Sequence, residues 1–399
     1  MLFRSAADDA ALAAEPRVED HVLAQARYDV AQLFTAEQSL RLLGLYFRFV
    51  DPYFPVVARA SLFVNGLLAR AAVDALPLSL VAALYAAALP YTPYDDLLAS
   101  TLAHAPDPST QLYRAAWLAF THELHAPRLA TLQTALLLLQ RPSPTSASDT
   151  PWKTALVAST VSLAHTLGLS RDSSAWSGLP AWELSHRKRL WHAVVTICTW
   201  TALTLGAPPP IHPDDSDVPP LWPSDAEPDP HADADAADHF RLLADLSAIT
   251  CDILSAFFSV RAAQRTASNL ALSLELGRSL RARLDAWSAA LPAAPFAPRG
   301  VPQRRRGGHP SLHLAYLAAN MTLFRALLRP LEGGGSAAEQ GSRGAVRTGA
   351  RECAEEAVVF AESLQGGGGG GEGFWHSCEL LSLSSLRVFC LARSLPVPT

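Results

Sequence analysis

The sequence has little of what would tie it to a particular chemistry. Its five cysteines, Cys198, Cys251, Cys353, Cys378 and Cys390, include no CxxC pair, which excludes a local zinc knuckle or finger. An odd number of scattered cysteines fits a reducing compartment better than a secreted chain. Positive charge is not in surplus: 32 Lys and Arg against 37 Asp and Glu give a net charge of −5. No concentrated basic surface is therefore expected to neutralise nucleic-acid phosphates. No apolar run reaches the roughly 20 residues that span a bilayer, and the longest, Leu76 to Pro90, predicts a buried helix. The opening Met1-Leu2-Phe3-Arg4-Ser5 turns acidic at Asp8-Asp9 without an apolar core, so no signal peptide is expected. The sequon Asn320-Met321-Thr322 is accordingly read as chance. Nucleophile elbows, phosphate loops and metalloprotease helices are missing too. The Gly366–Gly371 run lacks the Lys-Ser/Thr and the preceding strand that a phosphate loop needs.

What is present points to helices. Hydrophobic residues make up 49% of the chain and are mostly Leu and Ala, strong helix formers, while β-branched residues are sparse. The fold class expected is all-α, a large multi-helix domain with long Pro/Asp-rich and Gly-rich loops. Residues 1–35 read as a lead-in and 36–399 as the domain. Helical spacing begins at Ser39 with Leu40, Leu43, Phe47 and Val50, and further helices are predicted at 61–73, 77–89, 110–126, 129–140 and 152–167. In 110–126 the stripe is Tyr113, Trp117, Phe120 and Leu124. Gly168 followed by Leu169 predicts a Schellman stop. Pro180 opens a helix of about 25 residues to Leu205, roughly 37 Å long, with Trp191, Val194, Val195, Cys198, Ala202 and Leu205 as its apolar stripe. Helices at 239–264, 267–290, 310–329, 349–365 and 374–393 follow. Flexible loops are predicted at 207–238, 292–309, 332–349 and 366–373.

Three features invite a chemical reading. The loop carrying His212, Asp214, Asp215, Asp217, Asp225, Asp229, His231, Asp233, Asp235 and His239 could in principle hold a metal, but no spacing matches a known site. A solvated acidic loop is the better reading. Arg304-Arg305-Arg306 is shorter than a usual basic localisation element and reads as loop charge. The aromatics Tyr113, Trp117, Phe120, Trp182 and Trp191 read as core, and His165 and His192 as isolated helix histidines. No nucleophile and base stand together in the sequence. No catalytic, cofactor-binding or metal residue is expected, and the chain is not expected to be an enzyme.

The stretch 155–221 carries a resemblance. It runs through Thr166-Leu167-Gly168-Leu169-Ser170-Arg171-Asp172, then Glu183 to Arg187-Lys188-Arg189-Leu190-Trp191, then Gly206-Ala207-Pro208 and Asp217-Val218-Pro219. This resembles the middle homology region, the fungal-specific transcription factor domain, of fungal binuclear-zinc-cluster regulators. Tyr46-Phe47 through Phe54-Pro55, Leu136–Leu139 and His313 to Pro330 are similar to further segments of that family, so the likeness covers roughly residues 40–330. Three positions depart from the family pattern: His192 stands for its second Trp, Cys198 for its Asp, and Ala207 for the Arg of Gly-Arg-Pro. The resemblance implies a structural signature of Gly168, Leu169, Arg171, Asp172, Glu183, Arg187, Arg189, Leu190, Trp191, Gly206 and Pro208. In it Asp172 and Glu183 are expected to pair with Arg171, Arg187 or Arg189. It also implies a nuclear regulator of RNA polymerase II transcription, of metabolic genes, with co-regulators or another transcription factor as partners and a possible small-molecule inducer. The family's zinc lies in an N-terminal six-cysteine cluster that these 399 residues do not contain. DNA contact is thus expected through another segment or a partner, with no cofactor in this chain and no membrane partner. A helical interaction scaffold, a small-molecule-binding protein without a DNA role, and an enzyme with its site in a helical bundle are the alternatives.

Overall fold

A computed structural model describes residues 20–102, 105–141, 151–226, 234–291, 310–331 and 340–366. The expected loop at 292–309 with Arg304-Arg305-Arg306, the expected helix at 374–393, Cys378 and Cys390 lie outside the described residues. The helices, in order, are α1 (Asp20–Leu33), α2 (Ala36–Phe49), α3 (Arg59–Leu62), α4 (Arg70–Asp74), α5 (Leu78–Ala88), α6 (Asp96–Leu102), α7 (Ser109–Glu123) and α8 (Leu129–Leu139). They continue with α9 (Pro151–Thr166), α10 (Ala181–Leu205), α11 (Ala234–Phe257), α12 (Val260–Ala267), α13 (Leu270–Ala289), α14 (Pro310–Leu328) and α15 (Gln340–Gly366). The described fold is all-α but for one two-stranded hairpin, β1 (Phe63–Val64) with β2 (Leu67–Leu68). No single helix among the described residues is long and apolar enough to cross a membrane.

The chain divides into two compact units. The first comprises 1–144, 150–194 and 216–233, and the second 145–149, 195–215 and 234–399. In the first unit α5 is the central helix. The Leu76–Pro90 run becomes a helix buried almost all round, with Leu80, Ala82, Ala83, Leu84 and Ala88 each at most 1% exposed. It packs against α2, α7 and α8, and α9 lies on α8. Thr35 and Gln38 start α2 with a reciprocal capping box, which satisfies two backbone donors of its first turn. In the second unit α14 is central, with α11, α13 and α15 against it. Trp200 Nε1 donates to Ser247 Oγ at 2.9 Å and Trp287 Nε1 to Leu242 O at 2.9 Å, so both buried indoles have the partner they require. Asn320 and Thr322 are each 1% exposed, so the sequon faces the core and not solvent.

Several elements differ from the sequence reading. The helix expected at 61–73 is interrupted by the hairpin, because Asn65 and Gly66 both take positive φ (52° and 78°), the two-residue turn that Asn-Gly favours. The helix expected at 239–264 starts at Ala234 and breaks after Phe257 into a 66° bend. Ser259 there accepts from the backbone of Ala262 and opens a new helix. Residues 340–349, expected within a Gly-rich loop, are helical. Val346, Ala350, Cys353 and Ala357 recur at helical spacing and are all buried, and that stripe outweighs the roughly 1 kcal/mol that each helical glycine costs. In α7 the buried face is Leu112, Ala115, Ala116, Ala119 and Phe120, while Leu124 is 38% exposed. Trp182, expected in the core, is also 38% exposed.

Candidate functional site

Residues 155–194 and 216–221 of the signature stretch belong to the first unit, and its Gly168-to-Trp191 part folds into one corner there. α9 ends as the sequence predicts: Gly168 sits at φ 70°, Leu169 N–H reaches back to Ala164 O at 2.9 Å and Gly168 N–H to His165 O at 3.0 Å. This is the Schellman pair, and Leu169 tucks in at 2% exposure. The chain then runs irregularly to Pro180, and α10 starts at Ala181. Between the end of α9, the start of α10 and the loop 216–226 lies a cleft of about 250 Å³, lined in part by Gly168, Leu169, Arg171, Asp172, Ser174, Arg187, Lys188 and Asp225.

Hydrogen bonds latch the loop 216–226 onto this corner. Asp217 Oδ1 accepts the backbone N–H of Asp172 at 2.7 Å, and Asp217 N–H donates to Ser170 O at 3.3 Å. Arg171 approaches Asp217 at 3.6 Å, but both side chains are more than half exposed, so solvent screens that pair. Further along, Lys188 Nζ meets Asp225 Oδ2 at 2.6 Å with both side chains largely buried. The same Asp225 oxygen accepts Trp222 N–H at 2.7 Å, and Arg189 donates to Asp225 O at 2.7 Å. His192 contacts Pro219 O at 3.0 Å; a carbonyl only accepts, so Nε2 carries the proton. Burial lowers the pKa of His192, and that hydrogen bond works the other way.

On the same helix as Arg187 and Lys188, His186 is 2% exposed. Gln133 Nε2 donates to Val56 O at 2.8 Å and lies 3.0 Å from His186 Nε2. The other ring nitrogen, Nδ1, lies 3.5 Å from the Arg189 guanidinium, so donors face both sides of the imidazole and favour its neutral form. Burial first, then the positive Arg189 and Arg187, lower its pKa to about 3. Leu190 and Trp191 point into the core at 0% and 3% exposure, and His165 meets the Trp191 ring edge-on.

The ion pairs expected from the resemblance are only partly those that form. Glu183 pairs with Arg187 one helical turn on, at 3.0 Å, and the Arg187 guanidinium also reaches Leu167 O and lies over the Trp176 ring. Asp172 instead binds Ser174, accepting its N–H at 3.0 Å and its hydroxyl at 2.6 Å. Those two hydrogen bonds, the hydroxyl's first, hold the Asp172 carboxyl below its ordinary pKa. Arg189 donates to a loop carbonyl, that of Asp225. Gly206, at φ 67°, closes the far end of α10 with Ala207 N–H on Ala202 O, and Pro208 lies just beyond it, exposed; neither joins the cleft. Sequence reasoning took Asp217 and Asp225 for solvated loop charge and gave Lys188 no partner of its own. The signal lay in Asp217-Val218-Pro219, three residues of the resemblance itself. Among the described residues no group of three or more His, Cys, Asp and Glu could hold a metal ion.

Residues 43–289 match the family model described as the fungal specific transcription factor domain. An uncharacterized transcriptional regulatory protein of Schizosaccharomyces pombe is 28% identical over 252 residues, 63% of this chain and 36% of that protein. The transcriptional activator protein DAL81 of Saccharomyces cerevisiae is 32% identical over 165 residues, 41% of this chain and 16% of that protein. The chain thus spans about a third or less of the length of these curated relatives. No solved structure matches.

Proposed function

This chain belongs to the fungal specific transcription factor domain family, and from that premise we propose that it sets the activity of a nuclear regulator of RNA polymerase II transcription. It is the regulatory domain of a fungal transcription factor; the genes it controls are, in this proposal, metabolic. The family match across 43–289 carries the reading, because it takes in the whole latched corner from Gly168 to Asp225. We place the regulatory domain at 36–399, with 1–35 as its lead-in. The signature residues then serve as scaffold: Gly168 turns the chain, Arg187 and Arg189 tie α10 to its neighbours, and Leu190 and Trp191 anchor that helix. DNA is read by a zinc cluster outside these residues or by a partner, and the domain works through co-regulators, a second transcription factor or an inducer, and not through catalysis. The relatives' names, one a transcriptional activator, favour activation over repression.

The test is a fusion of the whole chain to an unrelated DNA-binding domain, placed upstream of a reporter in a fungal host. Reporter output that departs from the DNA-binding domain alone, and that shifts between carbon or nitrogen sources, is the expected result. Output identical to that control under every source would overturn the reading.

A further inference from the structure

The cleft holds a hydroxyl that the scaffold role does not use. We propose that Ser174 is a phosphorylation site for an arginine-directed serine kinase, and that its modification unfastens the loop 216–226. Such a kinase grips substrates through an acidic groove that reads a positive charge near the acceptor. Among the described residues, three hydroxyls follow an arginine by three positions: Thr131 after Arg128, Ser174 after Arg171 and Ser268 after Arg265. Thr131 is 1% exposed and closed to any enzyme. Ser268 is exposed, but its arginine lies inside α12, so presenting both groups in an extended strand would require unwinding that helix. Ser174 and Arg171 are both exposed and lie in the irregular stretch between α9 and α10. Only here are acceptor and arginine available together on a backbone that can be drawn out.

In the transfer, Ser174 Oγ attacks the γ-phosphorus of a kinase-bound magnesium nucleoside triphosphate. The bond from that phosphorus to the bridging oxygen breaks, the nucleoside diphosphate leaves, and the hydroxyl proton passes to the kinase's base. The product carries about −1.5 to −2 charges at neutral pH. Ser174 Oγ now donates to Asp172 Oδ1 at 2.6 Å; after transfer that proton is gone and a dianion faces a carboxylate. Repulsion opens the turn, since like charges in direct contact disrupt local structure. The phosphoryl group then has Arg171, Arg187 and Lys188 around the same cleft as partners. Arg171 gives up Asp217, and the Asp172 N–H that holds Asp217 Oδ1 moves with the opened turn. The latch depends on the backbone that the modification displaces.

The experiment uses the purified full chain with an arginine-directed serine kinase and magnesium ATP, sites being mapped by tandem mass spectrometry. Ser174 is expected to be phosphorylated ahead of Ser268, Ser174→Ala to abolish that site, and Arg171→Ala to slow it by about tenfold, the loss of one charge-assisted contact. A short peptide spanning 168–178 serves as the unfolded control. If the peptide is a good substrate while the folded chain takes phosphate only at Ser268 or nowhere, the site is wrong. Amide hydrogen exchange at Asp172 and Asp217 should then quicken in the Ser174-phosphorylated chain, and unchanged exchange would overturn the coupling to the loop.

Discussion

Asp217 and Lys188 do different physical work although each closes one side of the same loop. Asp217 is more than half exposed, so its worth lies in the short bond to the Asp172 amide and little in its ion pair. Asp217→Ala should cost about 1–2 kcal/mol, the low end for a charged acceptor because solvent reaches the carboxylate, read by urea denaturation. Lys188 and Asp225 are both largely buried, and removing one leaves the other desolvated. Lys188→Met should therefore cost more, about 2–3 kcal/mol, and the double variant Lys188→Met with Asp225→Asn should recover part of the loss. A Lys188→Met cost within 0.5 kcal/mol or so of zero would mean that the pair is screened like a surface one.

At the scale of elements, α15 contains its own control. Gly344 faces open space, whereas a Cβ on Gly349 would stand 2.8 Å from Phe324 Cζ. Phe324 is 5% exposed and has the Arg281 guanidinium over its ring, so it has little room to retreat. Gly344→Ala should raise stability by about 0.5–1 kcal/mol through helix propensity. Gly349→Ala gains the same but overpacks a filled site, which costs about 1–3 kcal/mol, so the net effect should be a fall in Tm. Sequence reading missed the start of α15 because glycines punctuate it, and propensity weighs each residue without seeing the face that Val346, Ala350 and Cys353 bury. The hairpin at 63–68 was missed for the opposite reason: Asn65-Gly66 is a strong local turn signal that an apolar helical spacing obscured. The ends of α9 and α10 were legible, because Gly168 and Gly206 fix a left-handed backbone from local chemistry alone. The latch partners were not, since Asp217 lies 45 positions from Asp172 and no local rule connects them.

For the molecule as a whole, pH dependence separates two buried groups of opposite sign. His186 has its pKa lowered from 6.5 to about 3 by burial and by its arginine neighbours. The unfolded chain therefore takes up a proton that the native state refuses, and stability rises with pH wherever that holds. The native advantage is whole above about pH 6.5 and is lost progressively as pH falls towards 3, with His192, also lowered, adding to the slope. Glu123 runs the other way. Burial raises its pKa above 4.5 despite the hydroxyls of Ser79 and Thr131 on its oxygens, so its charge weighs against the native state above that pH and not below. His186→Gln, which keeps an acceptor for Gln133, should flatten the decline of Tm between pH 6.5 and 4.5. Glu123→Gln should raise Tm at pH 7, with the gain shrinking towards pH 4.5. An unchanged acid slope in His186→Gln would assign that slope to other groups.

Trp222 gives the corner an optical consequence. Its indole is 63% exposed while its own backbone N–H is held by Asp225, so the ring rides on the loop it helps to fasten. A release of that loop would change the solvent contact and the tumbling of this one fluorophore. The difference emission between the chain and a Trp222→Phe variant would isolate it from the other eight of the nine tryptophans, and its quenching by acrylamide and its anisotropy would follow the latch in real time.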